Sequence, residues 1–432
     1  MDHPTSTRTS SNQNSHGKST PNPKSQESTN KQEVVISTLV DRISDLPDEI
    51  LVHILSYVGT KDAVATGVLS KRWKLVWIEV PCLYFNDGHR THWSTAGSGF
   101  PKAGDMNFVQ FVDKVLLQHN NVVSSIQKLK IIGNWYTWYD VEGWIRKAIN
   151  LNVVELDLSF PGYVMKKLSE EFFSCKSLVV LKLYAAARIS VPSTARLPNL
   201  RILHLVFVRY QDNKSASRLI SCCLGLEELK VSWRDDENLS NLRMHSPTLK
   251  NLRLEPPSYR IRGGEPVLDI NAPALQNLEI IAGSLYHSLL VTGMEHFLSL
   301  PHFLECFEKL EVLRLEKCYE YHQWGDSSPT YVEKRLWTDP ALVPEYLKSS
   351  LRIMCTNDFR ESESELCMLK YILKHGNVLQ TVEIHPNVTS DRHRGRYYSA
   401  GRKAHEEVEE KRLDLEHIIK NFQKGSQTCE IK

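Results

Sequence analysis

A pattern of the form apolar-x-x-apolar-x-apolar recurs along most of this chain, and it constrains the fold more than any other feature. It reads Ile126/Leu129/Ile131, Val153/Leu156/Leu158, Leu178/Leu181/Leu183, Leu200/Leu203/Leu205, Leu226/Leu229/Val231, Leu249/Leu252/Leu254 and Leu275/Leu278/Ile280. Later copies stand at Leu310/Leu313/Leu315 and Leu379/Val382/Ile384. By difference of residue numbers, the central positions step by 27, 25, 22, 26, 23 and 26 from Leu129 to Leu278, then by 35 to Leu313. The apolar-x-apolar part of each copy alternates as a half-buried strand does. A copy this short buries no apolar face alone, so successive copies must stack, each giving one strand and a return segment. The class expected is α/β, a solenoid with parallel strands.

Steps of this size fall within the roughly 20–29-residue range of leucine-rich repeats. The copies resemble irregular members of that class, because Pro161, Ala186 and Arg234 replace the Asn usual three places after the last strand residue. The return segments differ among themselves: Ser169 to Phe173 and Ala216 to Cys222 read as helical, whereas Arg188 to Pro198 does not. Ahead of the repeats, Asp105 is expected to cap a helix carrying Phe108, Phe111, Val112, Val115 and Leu116. A second helix is expected after Asp140, with Val141, Trp144, Ile145 and Ala148. Both are expected to cover the open first end of the array, since such arrays need caps.

The segment from Asp41 to Phe85 reads as short amphipathic helices. Ile43, Leu46, Ile50, Leu51, Ile54, Leu55 and Val58 recur at three- and four-residue steps. Pro47 suits a first helical turn, and Asp48 and Glu49 complement the helix dipole. Thr60 and Ser70 are natural N-caps for two further helices, the second bearing Lys71, Arg72, Trp73 and Trp77. About 45 residues is near the lower limit for an independent core. Apolar side chains on several sides of so small a unit point to a partner surface.

The Leu46-Pro47 start, the Ile50-Leu51 and Ile54-Leu55 pairs and Leu69-Ser70-Lys71-Arg72-Trp73 closely resemble an F-box of the plant type. The resemblance implies docking to a Skp-type adaptor, and through it a cullin scaffold, within a Skp–cullin–F-box ubiquitin ligase. The adaptor-binding residues expected are Leu46, Pro47, Ile50, Leu51, Ile54, Leu55, Leu69 and Trp73.

From Trp337 to about His385 the chain resembles the FBD domain found at the C-terminal end of many plant F-box/leucine-rich-repeat proteins. Trp337, Val343-Pro344, Leu347, Ser350-Leu351, Phe359, Glu365, Tyr371-Ile372-Leu373 and Leu379 carry that likeness. A helix over Glu363 to His375 lies between its two strand-like runs. The chain departs from the pattern at Asp358-Phe359-Arg360-Glu361, where relatives often have a Gly, and at Cys223-Leu224-Gly225, where many have Pro beside the Cys.

Composition narrows the remaining possibilities. A net charge of +2 gives no support for nucleic-acid binding. No apolar run approaches the roughly 18 residues of a membrane span, and residues 1–30 contain no Ala, Val, Ile, Leu or aromatic residue. The nine cysteines are odd in number and scattered, which suits a reducing compartment, the cytoplasm and/or nucleus. No motif for phosphate cradling, metalloprotease or serine-hydrolase chemistry is present. His89 with His92, and Cys318 with His322, lack the partners a site needs. No catalytic residue, metal site or cofactor is expected.

Strand alternation places the middle residue of each Leu-x-Leu on the inner curved surface of the solenoid. There Lys182, His204, Lys230 and Arg253 are expected to form a mainly basic strip that receives an acidic or phosphorylated segment of a target. Tyr321 and Trp324, in an aromatic loop, are further candidate contacts.

The organisation expected is a disordered tail over 1–37, an F-box over 38–85, a connection and N-terminal solenoid cap over 86–150 and leucine-rich repeats over 151–336. An FBD domain over 337–386 and a charged, partly helical C-terminal tail over 387–432 complete it. The function implied is a non-catalytic, substrate-recognition subunit of the ligase. The alternative is an adaptor-bound interaction protein with no role in target degradation.

Overall fold

The computed structural model describes residues 42–43, 45–86, 103–120, 125–133, 141–160, 168–184, 188–212, 214–232, 241–255, 267–282, 303–304, 306–317, 339–359, 363–386, 413, 415 and 417–432. The chain divides into two compact units, Met1–Leu46 and Pro47–Lys432. In the first, the Leu46 N–H donates to the Ile43 carbonyl at 3.1 Å.

The second unit opens with three short helices: α1 (Asp48–Leu55), α2 (Thr60–Ala65) and α3 (Trp73–Val76). Single 3-10 turns follow α2 and α3, at Thr66–Val68 and Trp77–Glu79. Pro47 is the extended residue before α1, with Asp48 and Glu49 in the first turn, as the dipole argument requires. Ser70 Oγ accepts the Trp73 N–H at 3.4 Å. Thr60 corrects its expected role: Gly59 is the cap and Thr60 the first helical residue. Its hydroxyl instead accepts the Tyr84 N–H at 2.7 Å.

The body of the molecule is a twelve-stranded sheet. In spatial order its strands are β1 (Cys82–Asn86), β2 (Lys128–Ile132), β3 (Glu155–Ser159), β4 (Val180–Tyr184), β6 (Ile202–Val206) and β8 (Glu228–Ser232). They continue as β10 (Asn251–Glu255), β12 (Asn277–Ala282), β13 (Val312–Lys317), β14 (Ile353–Phe359), β15 (Thr381–Pro386) and β16 (Glu430–Ile431). Every neighbouring pair is parallel. The central residues of the repeat therefore stack in one ladder, Leu129 beside Leu156, Leu181, Leu203, Leu229, Leu252, Leu278 and Leu313. Each is at most 2% exposed. This continuous apolar layer is the core that no single repeat could make.

Three strands go beyond the repeats read from the sequence. Leu83 and Phe85 of β1 and the two residues of β16 extend the sheet at its two ends, and Met354 of β14 adds a rung between β13 and β15. The return segments also carry strands: β5 (Arg188–Ile189) pairs β7 (Arg209–Tyr210), and β9 (Asn241–His245) pairs β11 (Val267–Asn271). The expected helices are present as a 3-10 turn at Glu171–Ser174 and as α6 (Ser215–Ser221).

Helices α4 (Ala103–Asn120) and α5 (Val141–Asn150) correct the expected cap. They are the return segments from β1 to β2 and from β2 to β3, and α4 begins at Ala103 rather than at Asp105. The open edge of β1 is met by α2, through Thr60. α4 is tied down by His119, which is fully buried. Its Nδ1 faces the Val115 carbonyl and its Nε2 the Val80 carbonyl, each at 3.1 Å. The turn after α5 contains Asn152, whose φ of 47° is the left-handed conformation that Asn tolerates better than most residues.

After β13 come α7 (Glu345–Ser349), β14, α8 (Glu363–His375) and β15. The C-terminal residues return to this end. Leu415, Ile419 and Cys429 are buried, and β16 pairs with β15. Residues 417–420 are helical, and Glu430–Ile431 is a strand of the main sheet.

Candidate functional site

The first candidate surface lies on the three-helix unit. Helical spacing turns Leu51 and Leu55 inward, at 0% and 4% exposed. The same spacing puts Ile50 and Ile54 on the outer side, at 45% and 44%, and Tyr57, past the end of α1, is 78% exposed. Trp73, Val76 and Trp77 are buried, while Val68, Leu69 and Leu75 are 86%, 65% and 66% exposed. The ion pair of Arg72 with Asp48 at 2.6 Å joins the start of α1 to the turn before α3. So many exposed aliphatic side chains on so small a unit mark a surface for another protein.

The residues expected to meet an adaptor are thereby sorted. Pro47, Ile50, Ile54 and Leu69 are exposed, and Leu46 is half-buried. Leu51, Leu55 and Trp73 are corrected to core, because they fill the small interior that α1 and α3 share. Tyr57, Val68 and Leu75 are exposed apolar side chains outside the expected set, and Tyr57 lies past the end of α1, where helical periodicity assigns no face.

The second candidate surface is the open side of the sheet. Register places Lys130, Asp157, Lys182, His204, Lys230, Arg253, Glu279 and Arg314 in one row. The expected basic strip is present in position but not in charge. Lys230 pairs with Glu255 at 2.9 Å, and Arg253 with Glu255 and Glu279 at 2.7 Å each. His204 Nε2 meets Glu228 at 2.7 Å, and Lys182 lies 3.9 Å from Glu155. The correction has a simple cause. Residues two places along a strand share its face, so Glu155, Glu228 and Glu255 flank the row and neutralise it.

Burial pushes the Glu255 carboxyl up, but hydrogen bonds from Ser232, Lys230 and Arg253 outweigh it and hold the group below its ordinary range. The Asn277 side-chain amide donates to Asn251 Oδ1 at 2.6 Å. His204 Nδ1 is buried with no hydrogen-bond partner among the described residues. His204, Lys230, Asn251, Arg253 and Asn277 line a depression of about 620 Å³ running from Tyr184 to Arg314. It offers donors and acceptors of both signs, as a surface for a polar protein segment would. Tyr321 and Trp324 lie outside the described residues, as do His89, His92, Cys318 and His322.

A third cluster stands further along the same open side. Cys355 on β14 is in register with Glu383 on β15, and His385 is two residues on. Their ligand-bearing atoms all lie within 4.8 Å of one another. Burial, and then the Glu383 carboxylate, push the Cys355 thiol up.

Comparison with known proteins matches these pieces to families. Residues 43–83 match the F-box domain and residues 339–384 match FBD. Residues 141–290 match the model described as FBD-associated F-box protein At5g56370, LRR repeats. The FBD-associated F-box protein At5g38590 of Arabidopsis thaliana is 30% identical over 404 residues, covering 80% of this chain and 93% of that protein. The chain belongs to the FBD-associated F-box proteins. Another such relative, FBD-associated F-box protein At4g10400 of Arabidopsis thaliana, is 29% identical over 396 residues, covering 80% of this chain and 92% of its own. The F-box/FBD/LRR-repeat protein At5g56420 of the same plant is 34% identical over 242 residues, 56% of this chain and 55% of that one.

Set on the structure, the family's three parts share one sheet. The F-box match ends at Leu83 inside β1, so the F-box supplies the first strand. The FBD match contains β14 and most of β15, which continue the leucine ladder through Met354 and Val382. In this F-box protein the FBD is thus two further coils of the repeat array.

Proposed function

We propose that this chain is the target-recruiting subunit of a Skp–cullin–F-box ubiquitin ligase. Its F-box docks a Skp-type adaptor, and its leucine-rich-repeat and FBD region binds a protein target. The observation that carries this reading is the set of exposed apolar side chains Ile50, Ile54, Tyr57, Val68, Leu69 and Leu75, on a unit matched to the F-box domain. The open side of the sheet, with its mixed charges, is the surface offered to the target. Bond-making belongs to the partners. This chain contributes proximity, turning a bimolecular encounter between target and conjugating enzyme into a nearly intramolecular one. Among the described residues, Cys175, Cys222, Cys223, Cys355 and Cys429 are buried as thiols, which supports work in a reducing compartment, cytoplasm or nucleus.

The test is capture of a purified Skp-type adaptor by the full chain. Ile54→Asp with Leu69→Asp changes exposed positions only, so thermal unfolding is expected to hold while capture is lost. Leu51→Ala removes core instead and is expected to cost roughly 2–5 kcal/mol of stability. Capture undiminished in the double variant would sink the docking assignment. Accumulation of a bound target when the chain is removed from cells separates a ligase subunit from a passive binder.

A further inference from the structure

β14 and β15 are parallel neighbours, about 4.8 Å apart, and Cys355 and Glu383 occupy directly paired positions on their open side. His385 is on the same side of β15, in register with Asn357. One sulfur, one carboxylate and one imidazole thus converge from two strands joined through α8. We propose that Cys355, Glu383 and His385 bind a divalent transition-metal ion of the zinc type.

The donor set chooses the ion. Calcium and magnesium take oxygen ligands, whereas thiolate with imidazole suits zinc. Zinc bonds of about 2.0–2.3 Å set tetrahedral ligand atoms roughly 3.3–3.8 Å apart. The present limit of 4.8 Å therefore needs a closure of about 1 Å. Cys355 is buried and fixed, while Glu383 is half-buried and His385 exposed, so the two outer side chains make that adjustment by rotation. Asn357 Oδ1, 3.7 Å from Cys355 Sγ, or a water molecule fills the fourth position.

Electrostatics favour a cation here. The thiol faces Glu383 and Glu316, with Arg314 as the opposing charge. A dication relieves the repulsion between the carboxylates and the thiolate, which loses its proton on binding. The bound ion would clip β14 to β15 within the FBD coils and stabilise that end of the sheet.

The experiment uses the full chain, reduced and stripped of metal, titrated with Zn²⁺ and with Co²⁺ as a spectroscopic probe. Expected are a thiolate-to-cobalt absorption band, lost in Cys355→Ser, and a rise in Tm with Zn²⁺ that this variant lacks. Glu383→Gln and His385→Gln are expected to weaken Zn²⁺ binding by at least about tenfold, since even outer-shell partners are worth about 10–100-fold. No cobalt–thiolate band in the wild type, or a band that survives Cys355→Ser, overturns the site. Should Cys355→Ser fail to fold, His385→Gln decides alone at its exposed position. Unchanged Zn²⁺ affinity there overturns the proposal.

Discussion

The Tyr84 amide donates to the Thr60 hydroxyl at 2.7 Å, so an F-box helix seals the outer edge of the first strand of the sheet. An unpaired edge is a template for association with other chains. The F-box therefore caps the repeat array, besides the docking role proposed for it. Phe85 and Leu83, both buried on β1, bind the two roles into one core.

Thr60→Val tests that seal. Valine keeps the shape of this buried residue but removes the acceptor, leaving the Tyr84 N–H without its partner. The expected cost is about 1–3 kcal/mol, read as a lower urea midpoint with an unchanged slope. Unfolding is expected to remain a single transition, because helices and sheet share the core. An unchanged midpoint would show that water takes the place of Thr60.

His119 gives the fold a predictable response to acid. Burial lowers its pKa, against the opposing pull of the Val80 and Val115 carbonyls. The folded state thus resists a proton that the unfolded chain accepts near its ordinary pH of about 6.5. Stability is full above that pH and falls as pH drops from 6.5 towards the lowered folded value, by at most about 1.4 kcal/mol per pH unit. His375 is also lowered, by burial and by Lys374, and contributes in the same direction. Glu255, Glu227 and Asp212 are held below their ordinary range, so their losses begin only at more acid pH. His119→Gln is expected to flatten the slope just below pH 6.5 without abolishing it. Denaturant midpoints measured from pH 7.5 to 5 check this, and identical slopes would refute it.

What was legible in the sequence follows a physical pattern. Leu129 through Leu313 announced the ladder because one strand per coil imposes one apolar triplet per coil. β14 reads as a strand-like run but not as a copy of the repeat, because Thr356 breaks its triplet and Met354 stands 41 positions after Leu313. β16 escaped because two residues carry no period. On α1 the periodicity found the apolar positions but not their facing, since Ile50 and Leu51 are chemically alike and only packing separates them. The basic strip failed for a further reason. Lys230 and Arg253 are neutralised by Glu255, a residue of the flanking row that a one-row reading never counts. Cys355 and His385 are brought together by parallel pairing across α8, a convergence no local spacing encodes.

The C-terminal strand offers the last test, because its approach depends on one glycine. The Gly425 N–H donates to the Leu373 carbonyl at 2.8 Å, at the end of α8. A Cβ at Gly425 would stand 2.6 Å from the Lys374 carbonyl oxygen, closer than real contacts allow, and a tight 3.2 Å from Asn377 Oδ1. Beyond this point the Glu430 N–H donates to Gln380 O, the Ile384 N–H to Lys432 O and the Lys432 N–H to Val382 O. Gly425→Ala forces the segment away from α8, an overpacking cost of about 1–3 kcal/mol. Hydrogen exchange at Ile384 and Lys432 is then expected to speed up by at least about tenfold, equivalent to about 1.4 kcal/mol. Amides of α1 and β2, at the far end of the sheet order, are expected to exchange as before, because repeat arrays transmit contacts only to neighbours. If Ile384 exchanges at its wild-type rate, the segment tolerates the methyl group and Gly425 does not seat it.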